Sequence, residues 1–322
     1  MPSLSDWTIP SKVQPKPEDY VFDLDAALTA VVGIRTSVPE DAFTADTLGT
    51  ERAGNGVLIR SDGLIVTIGY LVTEADQVWI TLSDGRLVPG HVLAYDQVTG
   101  FGLVQALARL EAPVLPLGQS SDVRVGDAVV IGGHGGRQRS VAGRIVSKQE
   151  FAGYWEYLLD EAIFTGPAHP HWGGTAVIDS TGRLIGIGSL QLQQAAQNDH
   201  LNMIVPIDLL KPILDDLILL GRRKDPPRPW LGLYATELDD NVVIAGVASG
   251  GPAEEAALQT GDLVLSVAGS EVSDLASLFR RIWSLGQAGV VVPMRIHRSG
   301  RTFDVSITSR DRNALLKRPS VH

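Results

Sequence analysis

The chain has 322 residues, 44% of them hydrophobic, with no cysteine and a formal net charge of −10. This length and apolar content suffice for two cores, while the acidic balance argues against nucleic acid and anionic membrane surfaces, which select basic patches. The lack of cysteine excludes disulfides and thiol chemistry without deciding the compartment.

The first residues, Met1-Pro2-Ser3-Leu4-Ser5-Asp6-Trp7, have neither a basic n-region nor an apolar h-region. No apolar run approaches the length of a membrane-spanning helix, so no membrane insertion is expected. With Met1 as the native start the expected location is cytoplasmic; if the chain has been trimmed, it is periplasmic. Residues 1–20 carry Pro2, Pro10, Pro15 and Pro17 and read as an extended arm. Its aromatics Trp7 and Tyr20, with Phe22 just beyond, are either partner contacts or incidental to a disordered leader. Ala26, Ala27 and Ala30 support a short helix over 22–30.

From Val31 to about Ile187, short apolar runs alternate with Gly, Asp and Pro turns. Val57-Leu58-Ile59, Val78-Trp79-Ile80-Thr81, Val129-Val130-Ile131 and Ala142-Gly143-Arg144-Ile145-Val146 are predicted strands, and their spacing suggests a sandwich or barrel. Pro206 opens a predicted helix through Leu220, apolar at Leu209, Leu210, Ile213, Leu217 and Leu220, and Gly221 ends it. Residues 222–229, with Pro226, Pro227 and Pro229 in a charged run, form a semi-rigid linker. The domains are therefore placed at 21–221 and 230–312, with a tail at 313–322.

A series of motifs gives this outline a family. Gly54-Asn55-Gly56-Val57-Leu58-Ile59 leads into Asp62-Gly63-Leu64-Ile65-Val66-Thr67, followed by Leu82-Ser83-Asp84-Gly85-Arg86, Leu115-Pro116-Leu117-Gly118 and Val123-Arg124-Val125-Gly126-Asp127. Further on come Gly182-Arg183-Leu184-Ile185-Gly186-Ile187 and Met203-Ile204-Val205-Pro206-Ile207. In this order the chain resembles the HtrA (Deg) family from about residue 22 to about residue 310. The resemblance implies a mainly β fold, a chymotrypsin-like double β-barrel followed by a C-terminal α+β PDZ domain. It also implies export, from which this N-terminus departs, and a homo-oligomer, a trimer packed by N-terminal aromatics.

The family's catalytic positions read differently here. The histidine of its Asn-His-Val-Val pattern is replaced by Tyr70 in Gly69-Tyr70-Leu71-Val72, and its aspartate by Gly100 in Thr99-Gly100-Phe101. Trp172 in Pro170-His171-Trp172-Gly173-Gly174 takes the place of its serine. A shifted alignment does not restore them, since no histidine precedes His91 and no serine lies between Ser147 and Ser180. Triad hydrolysis needs a hydroxyl beside an imidazole that a carboxylate orients. A phenol is a poor base at neutral pH, Gly100 offers no side chain, and Trp172 is expected to plug the old catalytic pocket.

Trp230-Leu231-Gly232-Leu233 resembles the carboxylate-binding loop of HtrA-type PDZ domains, and Gly251-Pro252-Ala253, Leu258, Gly261-Asp262-Leu263 and Gly269 follow in order. The resemblance implies that a protein C-terminus adds a strand beside Leu233 while loop amides receive its carboxylate. A groove helix is placed at 274–284, with Leu275, Leu278, Phe279 and Ile282 on one stripe shared between groove and core. His134, His169 and His171 lie where the family places its active-site loops. They are candidate transition-metal ligands, although solvated loop histidines without metal are the simpler reading. Thr165 or Thr175 paired with one of them is a further hydrolytic arrangement.

The resulting expectation is an inactive protease homologue, not an enzyme. It would bind protein segments or C-termini as a scaffold or regulator, with no cofactor. Two alternatives stand beside it: an unusual serine-type endopeptidase with a rebuilt active site, and a metal-binding homologue.

Overall fold

The computed structural model of the protein describes residues 7–193 and 200–317. Part of the expected arm, 1–6, and of the expected tail, 318–322, lies outside the described residues. Those described fall into two compact units, one of residues up to Gln149, Glu161–Arg223 and Lys317, the other of Glu150–Asp160 and Lys224–Leu316.

The first unit opens with helix α1 (Leu24–Thr29), whose Asp23 cap accepts from Ala26 N at 3.0 Å. Strand β1 (Val31–Ser37), the short helix α2 (Ala45–Leu48) and strands β2 (Glu51–Leu58), β3 (Leu64–Ile68), β4 (Gln77–Thr81), β5 (Leu87–Tyr95) and β6 (Phe101–Ala106) follow. They close a six-stranded barrel in the order β1-β2-β3-β6-β5-β4. Strand β4 alternates buried Val78 and Ile80 with exposed Gln77 and Trp79, whereas every residue of β3 is buried.

A second closed barrel has the order β10-β11-β12-β9-β8-β7. Its strands are β7 (Ala128–Gly132), β8 (Ser140–Gly153), β9 (Tyr157–Gly166), β10 (Ala176–Ile178), β11 (Leu184–Gln193) and β12 (His200–Pro206). Val129, Ile131, Val141, Ile145, Ile163, Val177, Ile185 and Ile204 fill it.

Two expectations are corrected here. The arm is not detached from the core: Ile9 is only 3% exposed, joins the second barrel's apolar cluster, and donates its N–H to Gln138 O at 2.8 Å. The helix from Pro206 is broken into 3₁₀ turns at Ile207–Leu209 and Lys211–Ile213, and only Leu214–Leu220, α3, is α-helical. Pro212 is the reason, since it lacks the N–H an α-helix would use and its ring clashes with the preceding turn. Gly221 caps α3 at φ +68° as expected.

The second unit is a sheet in the order β13-β14-β15-β17-β18, with β16 beside β15. Its strands are β13 (Leu233–Leu238), β14 (Asn241–Val247), β15 (Leu263–Val267), β16 (Ser270–Glu271), β17 (Val291–Arg298) and β18 (Arg301–Thr308). Helices α4 (Pro252–Glu255) and α5 (Leu275–Ser284) complete it, and Asp274 and Ser277 form a capping box at the start of α5. Residues 150–160, the facing ends of β8 and β9 and the turn between them, belong to this unit rather than to the first, as the sequence had placed them. Among the described residues no helix is long and apolar enough to cross a membrane.

Candidate functional site

Between the two barrels of the first unit lies an open cleft of about 730 Å³. Its walls include Tyr70, His134, His171 and Trp172. The residue that holds its two sides together is Asn55 on β2, only 6% exposed. Asn55 Nδ2 donates to His171 O at 3.1 Å and Gly173 O at 3.0 Å, and Oδ1 accepts from His134 N at 2.9 Å. The approach is close enough that only glycine fits at position 174. Gly174 has φ +75°, and a Cβ there would sit 1.8 Å from Asn55 O.

Tyr70 sits in a 3₁₀ turn directly after β3 and reaches across to donate its hydroxyl to Ser189 O at 2.9 Å. Burial pushes its phenol above the ordinary tyrosine range, so it keeps its proton and is no base. Gly100 occupies a turn at φ +85° and is used through its backbone, donating to Asp96 O and accepting from Gly69 N, both at 2.7 Å. Trp172 is half-buried in the cleft wall, and its carbonyl accepts from Thr175 N at 3.2 Å and Thr175 Oγ1 at 2.9 Å. It forms part of the wall of that cleft. A trypsin-like oxyanion hole uses the amide of the nucleophile and the amide two residues before it. Here the latter position is Pro170, which has no N–H.

The structure engages the three histidines otherwise than as a metal cage. His169 is fully buried; its Nδ1 accepts from His171 N at 3.1 Å, so Nε2 carries the proton and donates to Arg139 O at 2.8 Å. Burial lowers this imidazole to about 4. His134 Nε2 lies 3.1 Å from Leu82 O, and burial again holds the ring below its ordinary range. His171 packs against Trp7 at a 42° tilt, 4.2 Å between ring centroids, while the Arg139 guanidinium lies 5.2 Å from the Trp7 ring. Trp7, expected either as a partner contact or as incidental to a disordered leader, is seated on its own chain. Among the described residues no group of three His, Cys, Asp or Glu side chains is placed to hold a metal ion. Of the two hydroxyls considered, Thr175 is spent on Trp172 O, whereas Thr165 Oγ1 is buried with no hydrogen-bond partner among the described residues.

The second unit holds another site. Gly232, at φ +76°, turns the loop before β13 so that three successive amides converge. They converge on Glu156: its Oε1 accepts from Leu231 N at 3.2 Å, Gly232 N at 2.7 Å and Leu233 N at 2.9 Å. Its Oε2 lies 3.1 Å from Leu231 N. Burial raises the Glu156 carboxyl, with the three amides and Arg312 pulling the other way, to about 7. Leu231, Leu233, Leu275, Leu278, Phe279 and Ile282, the expected groove side chains, all belong to one buried apolar cluster that includes Leu158. Trp230 is also buried, and its backbone pairs with Arg310. Sequence reasoning missed Glu156, because 75 residues separate it from Leu231 and its only local signal is the aromatic run Tyr154-Trp155-Glu156-Tyr157.

Residues 54–187 match the family of the trypsin-like peptidase domain and residues 229–308 that of the PDZ domain. The class is therefore a trypsin-like peptidase domain joined to one PDZ domain, in agreement with both closed barrels and the loop before β13. Within that class the chain is homologous to the HtrA/DegP proteases. It is 25% identical over 326 residues to the serine protease Do-like HtrA of Bacillus subtilis, covering 91% of this chain and 72% of the relative. It is 26% identical over 269 residues to a probable periplasmic serine endoprotease DegP-like of Chlamydia trachomatis, covering 79% of this chain but only 53% of that one. A solved structure of the HtrA-type protease AlgW with tripeptide shares the fold at a TM-score of 0.54 and 21% identity, over 95% of this chain and 99% of that one. The curated relatives bear the names of serine proteases and endoproteases, which points to an enzyme and overturns the expectation that the chain is none.

Proposed function

We propose that the chain is an HtrA-type protein that recognises protein segments, with the loop 231–233 as its receptor for the carboxylate of a chain end. The observation that carries this reading is the convergence of the Leu231, Gly232 and Leu233 amides on one carboxylate. Three aligned donors select an anion of that shape, and β13 beside them is an edge strand able to accept an added strand. The tripeptide bound by the AlgW neighbour supports the same reading. Fluorescence anisotropy of the full chain with labelled peptides, each as free acid and as C-terminal amide, tests it. Binding of the acids alone is the expected result, and equal binding of the amides would remove the loop as receptor.

A second reading, a serine-type endopeptidase with a rebuilt active site, is favoured by the relatives' names and by the open cleft. Tyr70, Gly100 and Trp172 do not form a hydroxyl–imidazole–carboxylate relay, so the nucleophile has to come from elsewhere. Among the described residues Thr165 Oγ1 is the buried hydroxyl without a partner. Casein cleavage that follows the purified protein and is lost in Thr165→Val would support this reading. Cleavage undiminished in Thr165→Val would assign the chemistry to another group, and no cleavage by the wild-type chain would remove the reading.

A further inference from the structure

The PDZ loop is already occupied by the protein itself. We infer that the hairpin tip 150–160 is a resident ligand of the carboxylate loop, with Glu156 standing where a peptide's terminal carboxylate would stand, so that an external chain end binds only by displacing it. This rests on the reading of the loop as a carboxylate receptor and names its first occupant.

The contacts follow the pattern of strand addition. Glu156 takes the three loop amides through its side chain, and two residues earlier Tyr154 O accepts from Ala235 N, two residues after Leu233, at 2.9 Å. Strand β13 is the end strand of its sheet, so this bond lies on its open edge. Tyr154 also faces Tyr234, at 6.0 Å between ring centroids. On α5, Arg280 binds both sides of the hairpin, Asp160 at 2.5 Å and Glu150. Leu158 adds an apolar anchor among Leu231, Leu233 and the α5 stripe. The hairpin thus meets β13, the loop before it and α5.

Glu156 is also the wrong residue for its own turn. The loop between β8 and β9 has three residues, and Glu156 occupies its last position at φ +59°. Glycine is the residue favoured there. A glutamate held in that conformation is over-determined by its surroundings, and here the surroundings are the loop amides.

A tethered ligand acts at an effective concentration in the millimolar range. Set against a site of about 100 μM intrinsic affinity, it leaves about one-tenth of molecules open, and external affinity falls about tenfold in proportion. The probe is a fluorescein-labelled peptide of residues 150–155 (Glu-Phe-Ala-Gly-Tyr-Trp) ending in valine with a free carboxylate, compared with its amide. The variant Glu156→Gly removes the carboxylate yet suits the positive φ, so it preserves the hairpin; Arg280→Gln loosens the clamp from an exposed position. The free acid is expected to bind Glu156→Gly about tenfold more tightly than wild type, with Arg280→Gln between them. Hydrogen exchange at the amides of 231–233 is expected to be slow in wild type and fast in Glu156→Gly. Equal affinity for wild type and Glu156→Gly, or fast exchange already in wild type, overturns the resident ligand and leaves the receptor reading standing. No binding to any of the three proteins overturns the receptor reading, and the inference with it.

Discussion

Asn55→Ala tests whether the first unit's cleft is held by one side chain. The substitution removes the acceptor of His134 N, at 2.9 Å, and the Nδ2 donor to His171 O and Gly173 O, at 3.1 and 3.0 Å. Gly173 O keeps the Asn55 backbone N–H at 2.8 Å, so the two groups left wanting are His134 N and His171 O. His134 is half-buried while His171 is exposed and its carbonyl can take up water, so at about 1–3 kcal/mol for a buried unpaired group the total is at most about 3 kcal/mol. For a unit of this size that is a fall in Tm of about 6–12 °C. Asn55→Asp separates the two ends of the side chain. It keeps the acceptor for His134 N but sets a carboxylate against two carbonyl oxygens, so its Tm is expected to fall at least as far as that of Asn55→Ala. Calorimetry of the three proteins side by side checks the order. A change under about 0.5 kcal/mol for Asn55→Ala would refute the claim that these bonds join the barrels.

Three further outcomes follow from buried groups. Gly174→Ala should not yield a stable first unit, because its Cβ would meet Asn55 O at 1.8 Å and φ is +75°; a soluble variant within about 1 kcal/mol of wild type would contradict the geometry. His169 is held neutral by burial down to about 4, whereas an unfolded imidazole protonates near 6.5. The unfolded state therefore binds more protons between those values, so stability is full above about pH 6.5 and falls by about 3 kcal/mol on acidification to pH 4. Urea unfolding across that window should show a shallower fall for His169→Gln, and parallel curves would exclude His169 as the source. In the second unit Asp262 is fully buried and Arg298 binds it through Nε at 2.5 Å and Nη2 at 2.6 Å. Arg298→Ala leaves that carboxylate with Gln259 N, at 2.9 Å, and is expected to lower the urea midpoint of the second unit, while an unchanged midpoint would mean the pair is solvent-screened.

Much of the architecture was legible because it is local. The alternation of Val78 and Ile80 with Gln77 and Trp79 is visible within five residues, and the glycines and the aspartate around Gly261-Asp262 mark a turn by their own chemistry. Pro212 was also visible, but the apolar period of 209–220 outweighed it; the structure gave the proline precedence, since a missing N–H is not recovered by periodicity. Ile9 was unreadable, a lone apolar side chain among prolines whose backbone partner is Gln138. The same holds at the sites. The loop 230–233 could be placed by its motif, but its occupant could not, because nothing near Glu156 in the chain encodes the amides it meets.

The glycines beside position 172 bear on how such motifs should be read. A Cβ on Gly173 would lie 2.6 Å from the Tyr70 hydroxyl, and one on Gly174 would collide with Asn55 O, which also accepts from Thr67 Oγ1 at 2.6 Å. Gly174 is therefore demanded by the closeness of the two barrels, and at Gly173 an added Cβ would have to displace the Tyr70 hydroxyl, whatever side chain stands at 172. A sequence can keep this frame for packing alone, so the frame testifies to the fold and is silent on which atom attacks a peptide bond. Hydrolysis of the kind the relatives' names describe needs a hydroxyl and a base brought together, and residues 170–174 carry no hydroxyl. That makes the Thr165→Val cleavage assay more informative than the loop's sequence, because among the described residues it asks about the one buried hydroxyl whose bonding the surrounding packing leaves open.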